Sequence, residues 1–226
     1  MDRIGVIFDC DGTLIDSMGV WHALEAELAR RAGVVLSTED SQTLTTLNIP
    51  ESAQFFHDRF GLGKSGEEVV SMMDEIMLVY YRTRAEARPG ALAFMDALAQ
   101  RGVTMSVASS SPQEFLRAGL ACAGIAPYLS AIVSVEDVHS NKRHPKVYLH
   151  TRELMGTPLA ATWGFEDAVY AIRTLSAAGF GTVGVYDHDN SGTWEELSIE
   201  ADLAIRSFEG LDADEFLELV RRRAQR

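Results

Sequence analysis

Basic residues are scarce in this chain. Against 33 aspartates and glutamates stand 20 lysines and arginines, a formal net charge of −13 over 226 residues. Such a surface repels nucleic acid and anionic membranes, both of which demand a basic patch. Cysteine is scarcer still: Cys10 and Cys122 are the only two, with no C-x-x-C pairing. That excludes a disulfide framework and a thiolate metal site, and reduced thiols fit a cytoplasmic protein. No apolar run reaches the roughly 18 residues that a membrane-spanning helix needs. The short run Ile4 to Phe8 is too brief for a signal peptide and leads straight into Asp9 and Asp11. We expect a cytoplasmic monomer with neither nucleic-acid nor membrane partners. An acidic protein can still bind phosphate, but only through a local cation, which directs attention to metal ligands and isolated lysines.

Five apolar runs read as buried strands: Ile4–Phe8, Val103–Ala108, Ala131–Val135, Ala161–Phe165 and Gly181–Tyr186. Each is near-continuous rather than alternating, as in a parallel sheet covered on both faces. Helical patterns lie between them. Leu92, Met95 and Leu98 share a face ahead of Gly102. Ser111-Pro112-Gln113-Glu114 reads as a capping box before Leu116 and Leu120, and Ile172 and Leu175 lead to Gly179. Strand alternating with helix implies an α/β fold with a Rossmann-like, doubly wound parallel sheet.

One stretch breaks the alternation. Between Met18 and Arg88 no strand pattern stands out, while Val20, Leu24 and Leu28, then Ala53, Phe56 and Phe60, then Val69, Met73, Ile76 and Tyr80 recur at helical spacing. The expected organisation is a core of residues 1–16 and 89–226 and an inserted, all-helical cap of residues 17–88. Asp16-Ser17 and Arg88-Pro89-Gly90 have the composition of hinges.

In open α/β sheets, ligands bind beyond the C-terminal ends of the strands. The first strand is followed by Asp9-Cys10-Asp11-Gly12-Thr13, the second by Ser109-Ser110-Ser111, the third after a short loop by Lys142, and the fourth by Glu166-Asp167. This set suits phosphoryl transfer, which needs charge neutralisation and positioning. Asp9 and Asp167 can hold Mg²⁺, a hard ion that prefers oxygen ligands. Lys142 supplies a second positive charge and Ser109 a hydrogen bond to phosphate. Asp9 can attack phosphorus to give an aspartyl-phosphate. Asp11, two residues on, can protonate the departing alcohol and then activate water. Gly12 permits the tight turn that such a crowded loop requires.

Asp9-x-Asp11-Gly12-Thr13, followed in order by Ser109, Lys142 and Glu166-Asp167, resembles the haloacid dehalogenase-like hydrolase superfamily. The helical insertion is similar to its first-type cap, so the nearest group is the phosphoglycolate phosphatase and β-phosphoglucomutase-like subfamily. The resemblance covers nearly the whole chain. It implies a Mg²⁺-dependent phosphatase of sugar, polyol or small organic-acid phosphates, with the backbone carbonyl of Asp11 as a third metal ligand and Glu166 in a supporting place. The chain departs from the pattern at two points. Ala168 and Ala171 stand where the family often has Ser and Gly, and Arg143-His144-Pro145 follows Lys142 in place of the commoner Pro-x-Pro.

Rival readings attach to several residues. Lys146 competes with Lys142, and Ser111 reads as a helix cap, which leaves Ser109 for phosphate. Thr13 reads as a cap of its own turn. Cys10, between the two aspartates, reads as core packing. Asp187-His188-Asp189-Asn190-Ser191-Gly192 begins like an EF-hand loop, but Ser198 stands where a bidentate Glu is needed, so a loop at the rim of the site is expected. Trp21, Thr46 and Asn48, with Thr45 beside them, are the candidates for substrate selection by the cap. A D-x-Y dehalogenase is disfavoured by Asp11, and a phosphonatase by the lack of a Lys between Ser17 and Pro50. A sugar phosphate mutase stays open as an alternative, although Trp21 falls where such relatives carry a cap His and no Arg lies between Leu44 and Ala53. A non-catalytic phospho-ligand binding module is the alternative of another class.

Overall fold

The buried strands pair side by side in a computed structural model, which describes residues 3–44, 47, 49–188 and 193–225. Six parallel strands form one sheet: β1 (Gly5–Phe8), β2 (Thr104–Ser109), β3 (Leu129–Ser134), β4 (Thr162–Glu166), β5 (Gly181–Val185) and β6 (Leu203–Ile205). Five were expected, with bounds that shift by one or two residues. The sixth is an addition to the sequence reading, a three-residue edge strand whose residues are all half-buried. The strand order is β3-β2-β1-β4-β5-β6, so the winding reverses direction between β1 and β4. That reversal opens a crevice at the C-terminal ends of these two strands. The register pairs Phe8 with Val107 on one side and Phe165 on the other, so Asp9 emerges level with the last residues of β2 and β4.

Both faces of β1 are buried, which is why its sequence does not alternate. Val6, Phe8 and Cys10 join one core cluster, while Ile7 joins a second with Ala108, Val133, Tyr148 and Phe180. Helices α1 (Met18–Ala32), α2 (Thr38–Leu44), α3 (Ile49–Phe60) and α4 (Gly66–Thr83) follow β1. Then come α5 (Ala91–Gln100) before β2, α6 (Gln113–Cys122) after it, α7 (Lys146–Met155), α8 (Val169–Ala177), α9 (Trp194–Glu200) and α10 (Ala213–Ala224). Among the described residues no helix is long and apolar enough to cross a membrane.

Two helical expectations need correction. The buried face of α5 is Ala91, Phe94, Met95 and Leu98, and Leu92 is exposed at its edge. The capping box at Ser111 does not form. Pro112 occupies the N-cap position with an extended ψ of 146° and no side-chain cap bond. Gln113 instead donates to the Ile132 carbonyl and the Asp137 carboxylate, and Glu114 pairs with Arg82.

The passages into and out of the α1–α4 segment run side by side. Ile15 and Ala87 form an antiparallel bridge, Asp16 N–H donates to the Glu86 carbonyl, and Arg88 N–H donates to that of Leu14. At the second passage Gly90 has φ +82°, and a Cβ there would lie 2.5 Å from the Glu209 nitrogen, so only glycine fits. The end of α4 is seated on the core. The Tyr81 ring stacks on Phe115 at 5.2 Å, and Gly119 leaves room for it.

Candidate active site

Strand ends and the loops after them place the functional side chains. Asp9 follows β1, and its N–H donates to the Phe165 carbonyl, which ties the start of the Asp9–Thr13 turn to β4. Gly12, with φ +80°, lets the chain fold back so that Leu14 and Ile15 donate to the Cys10 carbonyl. Ser109 ends β2, Glu166 ends β4 and Asp167 follows it. Lys142, from the loop after β3, is 4% exposed, whereas its rival Lys146 is exposed at the start of α7.

Lys142 joins the set together. Its ammonium contacts the Asp9 carboxylate and donates to Glu166 Oε1 at 2.6 Å. The Tyr148 hydroxyl donates to the same Glu166 oxygen at 2.7 Å. Among the described residues Glu166 Oε2, which is buried, has no hydrogen-bond partner. Carboxylate oxygens of Asp9, Glu166 and Asp167 all lie within 4.8 Å of one another. Burial works against three negative charges in so small a volume. It raises the Asp9 pKa, with Lys142 opposing, and pushes Glu166 up to about 7. Asp167 is also raised, by burial first and then by the charges of Asp9 and Glu166. Cys10 is fully buried, and burial followed by the charges of Asp11 and Asp9 holds its thiol far above the ordinary range, so it packs rather than reacts.

Asp11 has different company. Its Oδ1 accepts from Ser17 and Tyr81, each at 2.6 Å, and its Oδ2 accepts from Ser111 at 2.5 Å. The Ser111 hydroxyl is therefore committed to Asp11, and its backbone N–H donates to Ser109 Oγ at 3.1 Å. Thr13 was expected to cap its turn, but its hydroxyl is buried without a hydrogen-bond partner among the described residues. Asp9, Asp11, Ser109, Lys142 and Asp167 line a cavity of about 120 Å³ together with Tyr170.

Sequence reasoning missed the residues that hold this set in place. Ser17 reads as a hinge in the sequence and Tyr80 as helix packing, while Tyr81 and Tyr148 are not singled out there. Arg88 was also missed: it donates to the Gly12 carbonyl and to Asp187 Oδ2, both at 2.5 Å, and to the Tyr186 carbonyl at 2.9 Å. The buried Asp187 is thus the counter-charge of Arg88, at the start of the loop that resembles an EF-hand. Asp189 to Gly192 lie outside the described residues, as do Thr45, Thr46, Asn48 and the side chain of Trp21; the backbone of Trp21 lies in the first turn of α1. One signal could have found Arg88, an arginine beside Pro-Gly in a chain poor in cations.

The chain matches the family model described as haloacid dehalogenase-like hydrolase over residues 5–179. It is 27% identical to hexitol phosphatase B of Escherichia coli K12 over 177 residues, 77% of this chain and 80% of that one. It is 31% identical to the phosphoglycolate phosphatase of Yersinia pseudotuberculosis serotype I over 168 residues, 67% of this chain and 70% of the relative. The fold superposes on a putative β-phosphoglucomutase from Thermotoga maritima with a TM-score of 0.79, at 19% identity, covering 97% of this chain and 99% of the other. The chain is therefore an enzyme that belongs to the haloacid dehalogenase-like hydrolase family.

Proposed function

We propose that this phosphatase hydrolyses the monoesters of small sugars, polyols or organic acids through an aspartyl-phosphate on Asp9, with Mg²⁺ as its cofactor. The observation that carries the reading is the junction at Lys142, where one ammonium is shared by Asp9 and Glu166 beside Asp167. The names of the hexitol and phosphoglycolate phosphatases support the substrate class.

The donor set fits a hard divalent cation. Three clustered carboxylates face a single ammonium, and Glu166 Oε2 is buried with no hydrogen-bond partner among the described residues. Asp9 and Asp167 would hold the ion, with the Asp11 carbonyl as third ligand and Glu166 in support. When bound, Mg²⁺ neutralises charge between the Asp9 carboxylate and the phosphoryl group.

The side chains divide the remaining work. Lys142 and Ser109 hold the phosphoryl oxygens, while a free Asp9 oxygen forms the bond to phosphorus. The ester oxygen leaves with the proton of Asp11. Water then gives a proton back to Asp11 and attacks phosphorus, which releases phosphate and restores the Asp9 carboxylate. The three hydroxyls around Asp11 suit both stages. They donate to the carboxylate, and the Ser17 or Tyr81 hydroxyl at Oδ1 can rotate to accept once the group is protonated. Helices α1–α4, within residues 17–88, would close over the core as a cap and exclude water. The same reading carries a cytoplasmic monomer with neither nucleic-acid nor membrane partners, the latter in keeping with the net charge of −13.

The test is phosphate release from a panel of sugar, polyol and organic-acid phosphates with Mg²⁺, by wild type and by Asp9→Asn. Isomerised sugar phosphate without phosphate release would favour a mutase. Binding without turnover of any ester would favour a non-catalytic module.

A further inference from the structure

We infer that Tyr170, held by Arg143, is a phosphoryl-binding residue of this enzyme that donates a hydrogen bond from its phenol into the cavity at Asp9. The inference rests on the phosphatase reading of that cavity. Tyr170 stands two residues into α8 and lines the cavity beside Asp9, Ser109, Lys142 and Asp167. Among the described residues its hydroxyl has no hydrogen-bond partner, although the ring is half-buried. Its phenol stands in the electrostatic field of Lys142, Glu166, Asp9 and Asp167. Burial, the largest influence, raises the phenol pKa above its ordinary value, so the group stays protonated and can donate.

The supply of other donors is short. Ser111 spends its hydroxyl hydrogen on Asp11. Ala168 lines the cavity and brings no hydroxyl. Lys142 has two of its three N–H groups committed to Asp9 and Glu166. What remains among the lining side chains is the Ser109 hydroxyl, the exposed Ser110 and the Tyr170 phenol. A phosphoryl group presents three strongly accepting oxygens, so a free phenol within the same small cavity has an obvious acceptor.

Arg143 explains why the phenol stays there. Its guanidinium sits over the Tyr170 ring, 4.7 Å from the centroid. Among the described residues Arg143 makes no side-chain hydrogen bond or ion pair, so this contact is its structural engagement. A cation over a tyrosine face is attracted to the ring and so holds it in position. Arg143 comes from the loop that carries Lys142, and Tyr170 from the first turn of α8, so the contact joins two elements on either side of the cavity wall.

The experiment is isothermal titration of the full chain with inorganic phosphate in the presence of Mg²⁺, together with KM and kcat for one hydrolysed ester. Tyr170→Phe keeps the ring and deletes only the hydroxyl. We expect phosphate affinity to fall roughly 10-fold and KM to rise in step with kcat little changed, as for loss of a charge-assisted hydrogen bond made equally to substrate and transition state. Arg143→Met should weaken phosphate binding less, and should add nothing in the Tyr170→Phe background, because it acts through the phenol. Ring-labelled Tyr170 in the unaltered chain should shift its resonance on addition of phosphate and not of chloride, a readout that needs no variant to fold. Phosphate affinity within about twofold of wild type in folded Tyr170→Phe, or an unmoved Tyr170 resonance, overturns the inference while the phosphatase reading stands. A wild type that neither binds phosphate nor releases it from any ester overturns both.

Discussion

Replacing Lys142 by Met should destabilise the metal-free protein by an amount that grows with pH. Lys142 is 4% exposed and is shared by Asp9 and Glu166. Burial alone would lower its pKa, but the two carboxylates outweigh that and raise it, so the native side chain is an ammonium. Met fills similar space and carries no charge. Removing one partner of a buried pair costs roughly 3–5 kcal/mol, because the other charge stays behind. For a chain of this size each kcal/mol moves Tm by about 2–4 °C, which gives a fall of about 6–20 °C. The pH dependence follows from Glu166. Its folded pKa of about 7 lies above its ordinary 4.5, so the folded state holds the proton more tightly than the unfolded state. Its contribution to stability is complete below the ordinary value and is lost as pH rises through about 7. Without Lys142 the folded pKa moves higher, so the variant loses more stability and goes on losing it to higher pH. Near pH 5 both proteins carry a protonated Glu166 and the gap in Tm should narrow; near pH 8 it should be fully open. The measurement is calorimetry or circular dichroism in chelator across that range. A gap of the same size at both ends, or one below about 2 °C near pH 8, would refute the shared-ammonium argument.

Asp9→Asn should abolish phosphate release while leaving the fold intact, since Asn keeps the shape and loses both nucleophilicity and a metal-binding charge; near-wild-type release from the purified variant would sink the assignment. Asp11→Asn should slow hydrolysis by roughly 10²–10⁴-fold, with the larger loss on alkyl esters, whose poor leaving groups need the proton most. A smaller loss on alkyl than on activated aryl phosphates would contradict the proton-donor role. Activity should require Mg²⁺ and fall with excess Ca²⁺, because the larger ion accepts more and longer oxygen contacts and can engage both Asp9 oxygens. Full turnover in chelator would count against the metal.

The sequence exposed those parts of the site that the sheet topology places, and hid those that helix packing places. Asp9, Ser109, Glu166 and Asp167 were legible because they lie at or just beyond the ends of near-continuous apolar runs. A doubly wound sheet brings such ends together whatever its helices do. The edge strand Leu203–Ile205 was not legible for the converse reason. Three half-buried residues at a sheet margin carry no such run. Leu92 misled because spacing alone cannot choose between two overlapping faces of α5, and Phe94 decides it by packing against Phe165, Phe208 and Phe216.

Ser111 shows the limit of local grammar most clearly. Serine followed by Pro-Gln-Glu satisfies every rule for a helix start, yet its hydroxyl goes to Asp11, 100 residues away in the chain. Tyr81 reaches the same carboxylate across 70 residues. Neither hydrogen bond has a sequence signature, because each depends on where α4 and α6 come to rest on the core. The outcome is a physical division of labour. Asp9 and Ser109, two of the groups proposed to meet the phosphoryl group, are fixed by backbone at strand ends, where position is precise to a register step. The hydroxyls around Asp11 come from a junction, a helix and a loop. Their places depend on how those elements pack, while the aspartate they serve stays where β1 puts it.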